Sequence, residues 1–205
     1  MDVDRAEARD EQNRPMRADA RRNVDALLRA AMRVFAESGV DAPMRTIAAE
    51  AGVGVGTLYR HFPQRSDLIQ AIIQREVDAC VEAAVTLRTT QTPGEALASW
   101  VQRLVDLVAT KRGLGPALHS GDTAYQSLPT YVFGQLTPAL RGLLDAAVAA
   151  GEVRADVDAR ELLLATMRLA APASDGEAAE ARRMVTLLVD GLRAGATGLA
   201  RTTPG

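Results

Sequence analysis

With 205 residues, of which 47% are hydrophobic and 24% charged, the chain has the composition of a globular protein of one compact unit or two small ones. No apolar run reaches the roughly 18 residues that a membrane-spanning helix needs, and the charged N-terminus lacks the apolar core of a signal peptide. The single cysteine, Cys80, excludes an internal disulfide and fits a reducing compartment, so we expect a cytoplasmic protein without a membrane partner.

Charge is unevenly distributed along the chain, although the net charge is only −2. Residues 14–66 carry nine arginines against five acidic residues, a net of +4, whereas residues 67–205 carry thirteen basic and sixteen acidic residues, a net of −3. A basic N-terminal part on an acidic body is the distribution expected of a protein that contacts nucleic acid at one end.

The N-terminal stretch divides into a segment without periodicity and a strongly amphipathic helix. Residues 1–17 mix charges without an apolar pattern and are predicted to be disordered. A first helix is expected from Asp19 to Ser38, with Gly39 as its C-terminal cap. Its apolar residues recur at intervals of three and four: Val24, Leu27, Leu28, Ala31, Val34 and Phe35.

Residues 43–65, PMRTIAAEAGVGVGTLYRHFPQR, are typical of two short helices joined by a tight turn at Gly52. In the second helix Leu58 and Phe62 are four residues apart and should face inward, and Pro63 ends the helix. The residues left pointing outward are Thr57, Tyr59, Arg60 and His61. The pattern predicts a helix-turn-helix, a motif whose second helix enters the major groove of DNA. Asp41 is a candidate cap for the first of the two short helices.

The remainder of the chain is predicted to be helical, with no strands and no repeats. A fourth helix is expected over 66–88, and its inward residues are Leu68, Ile69, Ile72, Ile73, Val77, Cys80, Val81 and Val85. Thr92 and Glu95 can form a capping box for a fifth helix, and Asp158 can cap an eighth. The segment 113–129 is rich in Gly and Pro and should hold only short or broken helix. A seventh helix reaches Ala150, bent near Pro138, and later helices cover 158–171 and 177–197.

The run GVGVGTLYRHF followed by P-x-R resembles the recognition segment of tetracycline-repressor (TetR) type transcription regulators. The resemblance implies an all-α protein of about nine helices, with a three-helix DNA-binding domain at 18–65, an effector-binding and dimerisation domain at 66–199 and a tail at 200–205. It also implies a homodimer through helices 8 and 9, double-stranded operator DNA as partner, an unknown small-molecule effector, no cofactor and no enzymatic activity. On this view the protein is most simply a repressor that an effector releases from a pseudo-palindromic operator.

The resemblance assigns DNA contacts residue by residue. Arg45 matches a position that can pair with guanine in the major groove, and Thr46 is a possible substitute for a phosphate contact that relatives make nearby. Gly56 permits close backbone approach, and Val55, where relatives carry Lys or Gln, could touch a thymine methyl. The other matched positions are Thr57 (phosphate or thymine methyl), Tyr59 and His61 (phosphate), Arg60 (base or backbone) and Arg65 (phosphate clamp).

The effector pocket is harder to predict from the sequence. Aromatic residues of the second domain, together with a few polar ones, could line an apolar site of the usual make-up, although helix-spaced aromatics are also ordinary core residues. The candidates are Trp100, Arg103, His119, Tyr125, Tyr131, Phe133 and Met167. Neither histidine has metal-ligand spacing, so no metal site is predicted, and Cys80 is interpreted as a small core residue.

Two other functions remain open at this point. The protein could be an activator, or a regulator that needs no effector because its pocket is filled. It could also be a small helical enzyme using His119 with Asp122, although no nucleophile or metal pattern supports that hypothesis.

Overall fold

The computed structural model describes residues 3–110, 114–118, 120–171 and 178–198, and, within them, the side chains of 19, 22–109, 114–118, 120–171 and 178–194. His119 and the predicted tail at 200–205 lie outside the described residues. The described chain contains helices and no strand, which confirms the all-α fold class. The helices are α1 (Val3–Ser38), α2 (Met44–Glu50), α3 (Val55–His61), α4 (Arg65–Thr90), α5 (Pro93–Thr110), α6 (Gly115–Leu118), α7 (Leu128–Ala149), α8 (Ala159–Leu169) and α9 (Ala178–Gly198), with a 3₁₀ turn at Thr123–Tyr125.

The chain divides into two compact units. The first contains the chain as far as Ile72 together with the described residues between Gly113 and Asp122, and the second contains the rest. The division therefore falls inside α4, later than the predicted domain boundary after residue 65, because α4 is continuous and contributes residues 65–72 to the first unit.

The first unit is built on the predicted amphipathic stripe of α1. Leu27 and Phe35 are almost completely buried, as are Ile47 of α2, Leu58 of α3 and Leu68 of α4. Burying one such side chain contributes about 1.5–3 kcal/mol, so short helices that could not persist alone are held by their apolar faces. Gly39 has a φ of +79° and its N–H donates to the Phe35 carbonyl at 3.0 Å, which confirms it as the C-terminal cap of α1.

Three predictions about helix ends and faces are wrong. The backbone of α1 is helical from Val3, not from Asp19: much of the segment 3–17 consists of good helix formers, and the lack of apolar periodicity did not reveal this. Asp41 does not cap α2, because the helix begins one residue after Pro43, whose ring carries no acceptor. Val85 was predicted to be buried but is 65% exposed, because Ala84 occupies the inward position at that turn of α4.

The second unit packs α5 against α7, α8 and α9, with Trp100 of α5 fully buried at its centre. The Glu95 half of the predicted capping box is present: its carboxylate accepts from the N–H of Thr92 at 3.1 Å and from Thr92 Oγ1 at 2.9 Å. Asp158 caps α8 as predicted by accepting from the N–H groups of Arg160 and Glu161. Pro138 lies inside α7, which is one continuous helix from Leu128 to Ala149.

Candidate nucleic-acid interface

The turn between α2 and α3 is closed by backbone hydrogen bonds that only a flexible residue permits. Gly52 has a φ of +69°, a left-handed conformation that residues with a Cβ rarely adopt. The N–H of Val53 donates to the carbonyl oxygen of Ala48 at 3.0 Å, and the N–H of Gly52 donates to the carbonyl oxygen of Ala49 at 3.1 Å. The two short helices are thereby fixed as a helix-turn-helix.

The two faces of α3 differ in exposure as the sequence predicted. Leu58 is fully buried and Phe62, just after the helix, is 7% exposed. On the opposite side Tyr59 is 48% exposed and Val55 is 42% exposed, which are high exposures for large hydrophobic side chains. Gly56 and Arg60 are also exposed, and Thr57 and His61 are half-buried. The structure therefore places Val55, Gly56, Tyr59 and Arg60 on one accessible surface, which we call the α3 face, and Thr57 and His61 at its half-buried edge.

The first turn of α2 adds two further side chains. Arg45 and Thr46 are both exposed, and Thr46 N–H is occupied by a hydrogen bond to the Pro43 carbonyl at 2.9 Å. At the other end of α2, Glu50 accepts from Arg33 Nε and Nη2 at 3.0 and 2.8 Å. This ion pair joins α1 to α2, and both members are about half exposed, so it contributes little to stability. The pair offsets the negative charge of Glu50, whereas the positively charged Arg45 is exposed at the surface.

Arg65 differs from the other predicted contacts because its guanidinium forms hydrogen bonds within the protein. Its Nη1 donates to the carbonyl oxygens of Val40 and Ala42, the latter at 2.7 Å, and the residue is half-buried at the start of α4. The sequence carried no signal for this contact, because the partners are backbone atoms more than twenty residues away.

A cleft of about 570 Å³ lies between α4 and α5 in the second unit. Of the predicted effector residues within the described part of the chain, Arg103 alone lines this cleft. Its other lining residues are Ala79, Glu82, Ala83, Thr86, Leu87, Ser99, Gln102 and Asp106. No sequence pattern indicated Gln102 and Asp106, which also bond α9: Gln102 Nε2 donates to the Arg182 carbonyl at 3.0 Å and to Thr186 Oγ1 at 2.9 Å, and Arg182 donates to Asp106.

The other predicted effector residues that the structure describes lie elsewhere in the second unit. Trp100 is fully buried and its Nε1 donates to the Cys80 carbonyl at 2.8 Å. Tyr131 donates its hydroxyl to Asp78 Oδ1 at 2.6 Å; burial and this hydrogen bond raise the pKa of Tyr131 to about 12. Phe133 lies 5.8 Å from the guanidinium carbon of Arg160. Tyr125 is 9% exposed and Met167 is half-buried.

Cys80 has the environment of a core residue. It is 3% exposed, and burial raises the pKa of its thiol, an effect that the nearby Arg103 only partly opposes. A buried, protonated thiol is a poor nucleophile, which agrees with its interpretation as a packing residue.

Apolar side chains are exposed on the last two helices. Leu187 is 64% exposed, Met184 41% and Leu169 38%. Met184 and Leu187 are three residues apart and share one face of α9, and α8 packs against α9. Exposed apolar groups clustered in this way mark an interaction surface more often than isolated ones do.

Within the described residues, no group of histidine, cysteine and acidic side chains is arranged to hold a metal ion. None of the described helices is long and apolar enough to span a membrane.

The first unit contains a helix-turn-helix whose second helix exposes an arginine and a tyrosine, and a larger helical unit follows it. These features define the class of helix-turn-helix transcription regulators. Comparison with known proteins identifies the family. The family model for bacterial regulatory proteins of the tetR family matches residues 27–72, and the model for the C-terminal domain of SbtR-like transcriptional regulators matches residues 92–194. The chain belongs to the TetR family of transcriptional regulators.

Solved structures and a curated relative agree with this assignment. A TetR transcriptional regulator from Streptomyces coelicolor is 39% identical, with a TM-score of 0.71 over 83% of this chain and 98% of that one. A TetR regulator from Mycobacterium vanbaalenii is 37% identical, with a TM-score of 0.69 over 87% of this chain and 99% of that one. A regulator from Staphylococcus aureus is 47% identical over 64 residues, which are 31% of this chain and only 35% of that protein.

Proposed function

We propose that the protein is a homodimeric repressor that reads a pseudo-palindromic operator and is released from it by a small-molecule effector. The observation that carries the DNA-binding part is the α3 face, where Tyr59 and Arg60 are exposed while Leu58 on the opposite side is fully buried. The family supports transcription regulation, and the basic N-terminal part supports a nucleic acid as the partner of this surface.

The side chains of the interface divide into contacts that position the protein and contacts that read bases. Tyr59, His61 and Thr57 can hydrogen-bond phosphates, and these bonds would hold α3 in the groove in the same way on any sequence. Arg45 has the donor geometry for guanine O6 and N7, and the apolar Val55 suits a thymine methyl. Gly56, Thr46 and Arg60 complete the surface, with a bare backbone, a hydroxyl and a second guanidinium.

Selection of bound fragments from the source genome by the purified protein, at one stated salt concentration, tests DNA recognition. We expect an enriched inverted repeat, since two-fold symmetry presents two recognition helices about one helical turn apart. Tyr59→Phe should weaken binding to the selected fragment and to unrelated DNA by similar factors, because a phosphate contact carries no sequence information.

Arg45→Ala supplies the contrasting result. It should weaken binding to the selected fragment more than binding to unrelated DNA, and it should relax the preference at one base pair of each half-site. A bidentate contact to a base discriminates against the wrong base by about 1–3 kcal/mol. A uniform loss on all sequences would make Arg45 a phosphate contact instead.

The exposed apolar side chains of α8 and α9 support self-association through these helices. Leu187→Glu should shift the protein from dimer to monomer in sedimentation, because a charge would be buried against the partner. Val85→Glu is a matched control: Val85 is 65% exposed and Leu187 64%, but Val85 lies on α4, outside the proposed interface. Dissociation by both substitutions to the same degree would contradict the assignment to α9.

An effector is supported by the family and by the cleft between α4 and α5, whose volume is in the range of small-molecule sites. Two proteins of the same fold have names that point to small ligands: FadR from Bacillus subtilis, whose structure is in complex with stearoyl-CoA, at 19% identity, and a protein named a gamma-butyrolactone receptor, at 22% identity. At these identities the likeness shows a shared fold and does not identify the chemical class of the effector of this protein.

A metabolite panel measured by thermal shift tests this part of the proposal. A compound that raises the unfolding temperature and lowers operator affinity would be the effector, since it must bind the DNA-free state better than the DNA-bound one. Loss of its effect in Arg103→Ala would assign it to the cleft, and loss in Phe133→Ala to the aromatic residues. A protein that no compound stabilises would favour the alternative, an effector-independent regulator, and increased transcription on binding would favour an activator.

A further inference from the structure

The loop that leads into α2 has two carbonyl groups without a backbone partner. Among the backbone hydrogen bonds of the described residues, none ends on the oxygen of Val40 or of Ala42. Both residues are only 6% exposed, and the cap residue Pro43 forms no side-chain hydrogen bond. Carbonyl groups that are shielded from water and lack a donor are costly, so a side chain from elsewhere in the unit that donates to them stabilises the conformation of this loop.

Arg65 is that side chain. Its Nη1 donates to both oxygens, and as the first residue of α4 it follows α3 directly after the short link 62–64. One guanidinium therefore joins the backbone just before α2 to the backbone just after α3, which closes the helix-turn-helix at both ends. The bonds are charge-assisted and stronger than those a neutral donor would form.

The position of α2 follows from this contact. Arg45 and Thr46 lie in the first turn of α2, within four residues of Ala42, and both are exposed. Without the Arg65 bonds, the loop could relax, and the start of α2 would move relative to Tyr59 on α3. The two helices would then no longer present their side chains to DNA at one fixed spacing.

We propose that Arg65 is a positioning residue of the DNA-reading surface, acting through the backbone of residues 40–42 and not by binding a phosphate. The inference rests on the proposed function, because it takes α2 and α3 to be the helices that read DNA. It replaces the phosphate clamp that the sequence resemblance implied for this residue.

The salt dependence of operator affinity distinguishes the two roles. Affinity for the selected fragment is measured by fluorescence anisotropy at a series of salt concentrations for wild type, Arg65→Ala, Arg65→Gln and Arg60→Ala, each shown to be folded by circular dichroism. Each phosphate contact contributes about 0.9 to the slope of log affinity against log salt. Arg60→Ala removes the same charge from an exposed residue of the same unit and serves as the charge-matched comparison.

We expect Arg65→Ala to weaken operator binding by roughly tenfold or more, the effect of losing a hydrogen bond to a charged group, with the slope unchanged. Arg65→Gln, which keeps an NH₂ donor without the charge, should retain more affinity than Arg65→Ala. A slope lower by about 0.9 or more per subunit would show a phosphate contact and overturn the inference. Equal loss in both variants would show that the hydrogen bonds to the loop do not set the affinity, and would overturn it as well. Unchanged affinity in folded variants would also overturn it. Wild-type protein that binds no fragment above the non-specific level would contradict the proposed function itself.

Discussion

Gly94, the second residue of α5, is held between two charged side chains from other helices and loops. Its N–H donates to Glu152 Oε2 at 2.8 Å, and its carbonyl accepts from Arg193 Nη2 at 3.0 Å. A Cβ at this position would overlap Glu152 Oε2 and lie 3.3 Å from the Cβ and Cδ of Glu152. Gly94→Ala must therefore displace the carboxylate and break its bond to the backbone.

Two opposing effects set the magnitude of this change. A hydrogen bond to a charged group contributes about 1.5–3 kcal/mol, and Ala is favoured over Gly inside a helix by about 1 kcal/mol. We therefore expect Gly94→Ala to lower the free energy of unfolding by roughly 0.5–2 kcal/mol. In a chain that already carries Glu152→Ala the carboxylate and its hydrogen bond are gone and only the tight contact with the Cβ of residue 152, at 3.3 Å, remains, so the same substitution should be clearly less destabilising than in the unchanged protein.

Gly134 in α7 is the matched control, because no atom lies within 4 Å of a Cβ built there. Gly134→Ala should stabilise by about 0.4–1 kcal/mol in either background. Urea unfolding, followed by circular dichroism and by the fluorescence of Trp100, the single tryptophan, gives each free energy. The reasoning is refuted if Gly94→Ala stabilises the otherwise unchanged protein as much as Gly134→Ala does.

Three further predictions concern titration and packing. The pKa of Tyr131 is raised to about 12, so its contribution to stability is complete below pH ~10 and is lost as the pH rises through about 12. Tyr131→Phe should remove this alkaline loss of stability and the phenolate absorbance step near pH ~12. The pKa of Asp158 is lowered, chiefly because its carboxylate accepts a hydrogen bond from the N–H of Glu161. Its stabilising effect is therefore present above pH ~4 and is lost as the pH falls through the lowered pKa of the folded state. The thermal unfolding midpoints of Asp158→Ala and wild type should differ at neutral pH and converge in acid. Leu58 is fully buried, so Leu58→Ala should cost about 2–5 kcal/mol in urea unfolding followed by circular dichroism, and a loss below 1 kcal/mol would contradict its place in the core.

Much of the fold could be predicted because helix-forming patterns are local. The intervals of three and four in α1, the glycine after Ser38 and the Asp158 cap are each properties of neighbouring residues, and the structure contains all of them. Val85 shows where such patterns stop: with 3.6 residues per turn, an apolar stripe that includes Val81 can continue either three or four residues further on, and the packing of α4, which the sequence does not state, buries Ala84 and not Val85.

The candidate site divides in the same way. The outward direction of Tyr59 and Arg60 followed from the inward direction of Leu58, since opposite faces of one helix are fixed by spacing. The bonds of Arg65 to residues before α2, and the shared use of Gln102 by the cleft and by α9, depend on segments distant in sequence. No local pattern indicates such contacts, and they had to come from the structure.

The most direct test of the account compares one selected inverted repeat with the same fragment carrying one scrambled half-site and with a fully scrambled fragment, all at one salt concentration. Recognition by two symmetric α3 faces predicts a large loss of affinity when one half-site is scrambled, and the non-specific level when both are scrambled. Equal affinity for all three fragments would show that the protein binds DNA only through phosphates, and would contradict the proposal of a sequence-specific regulator.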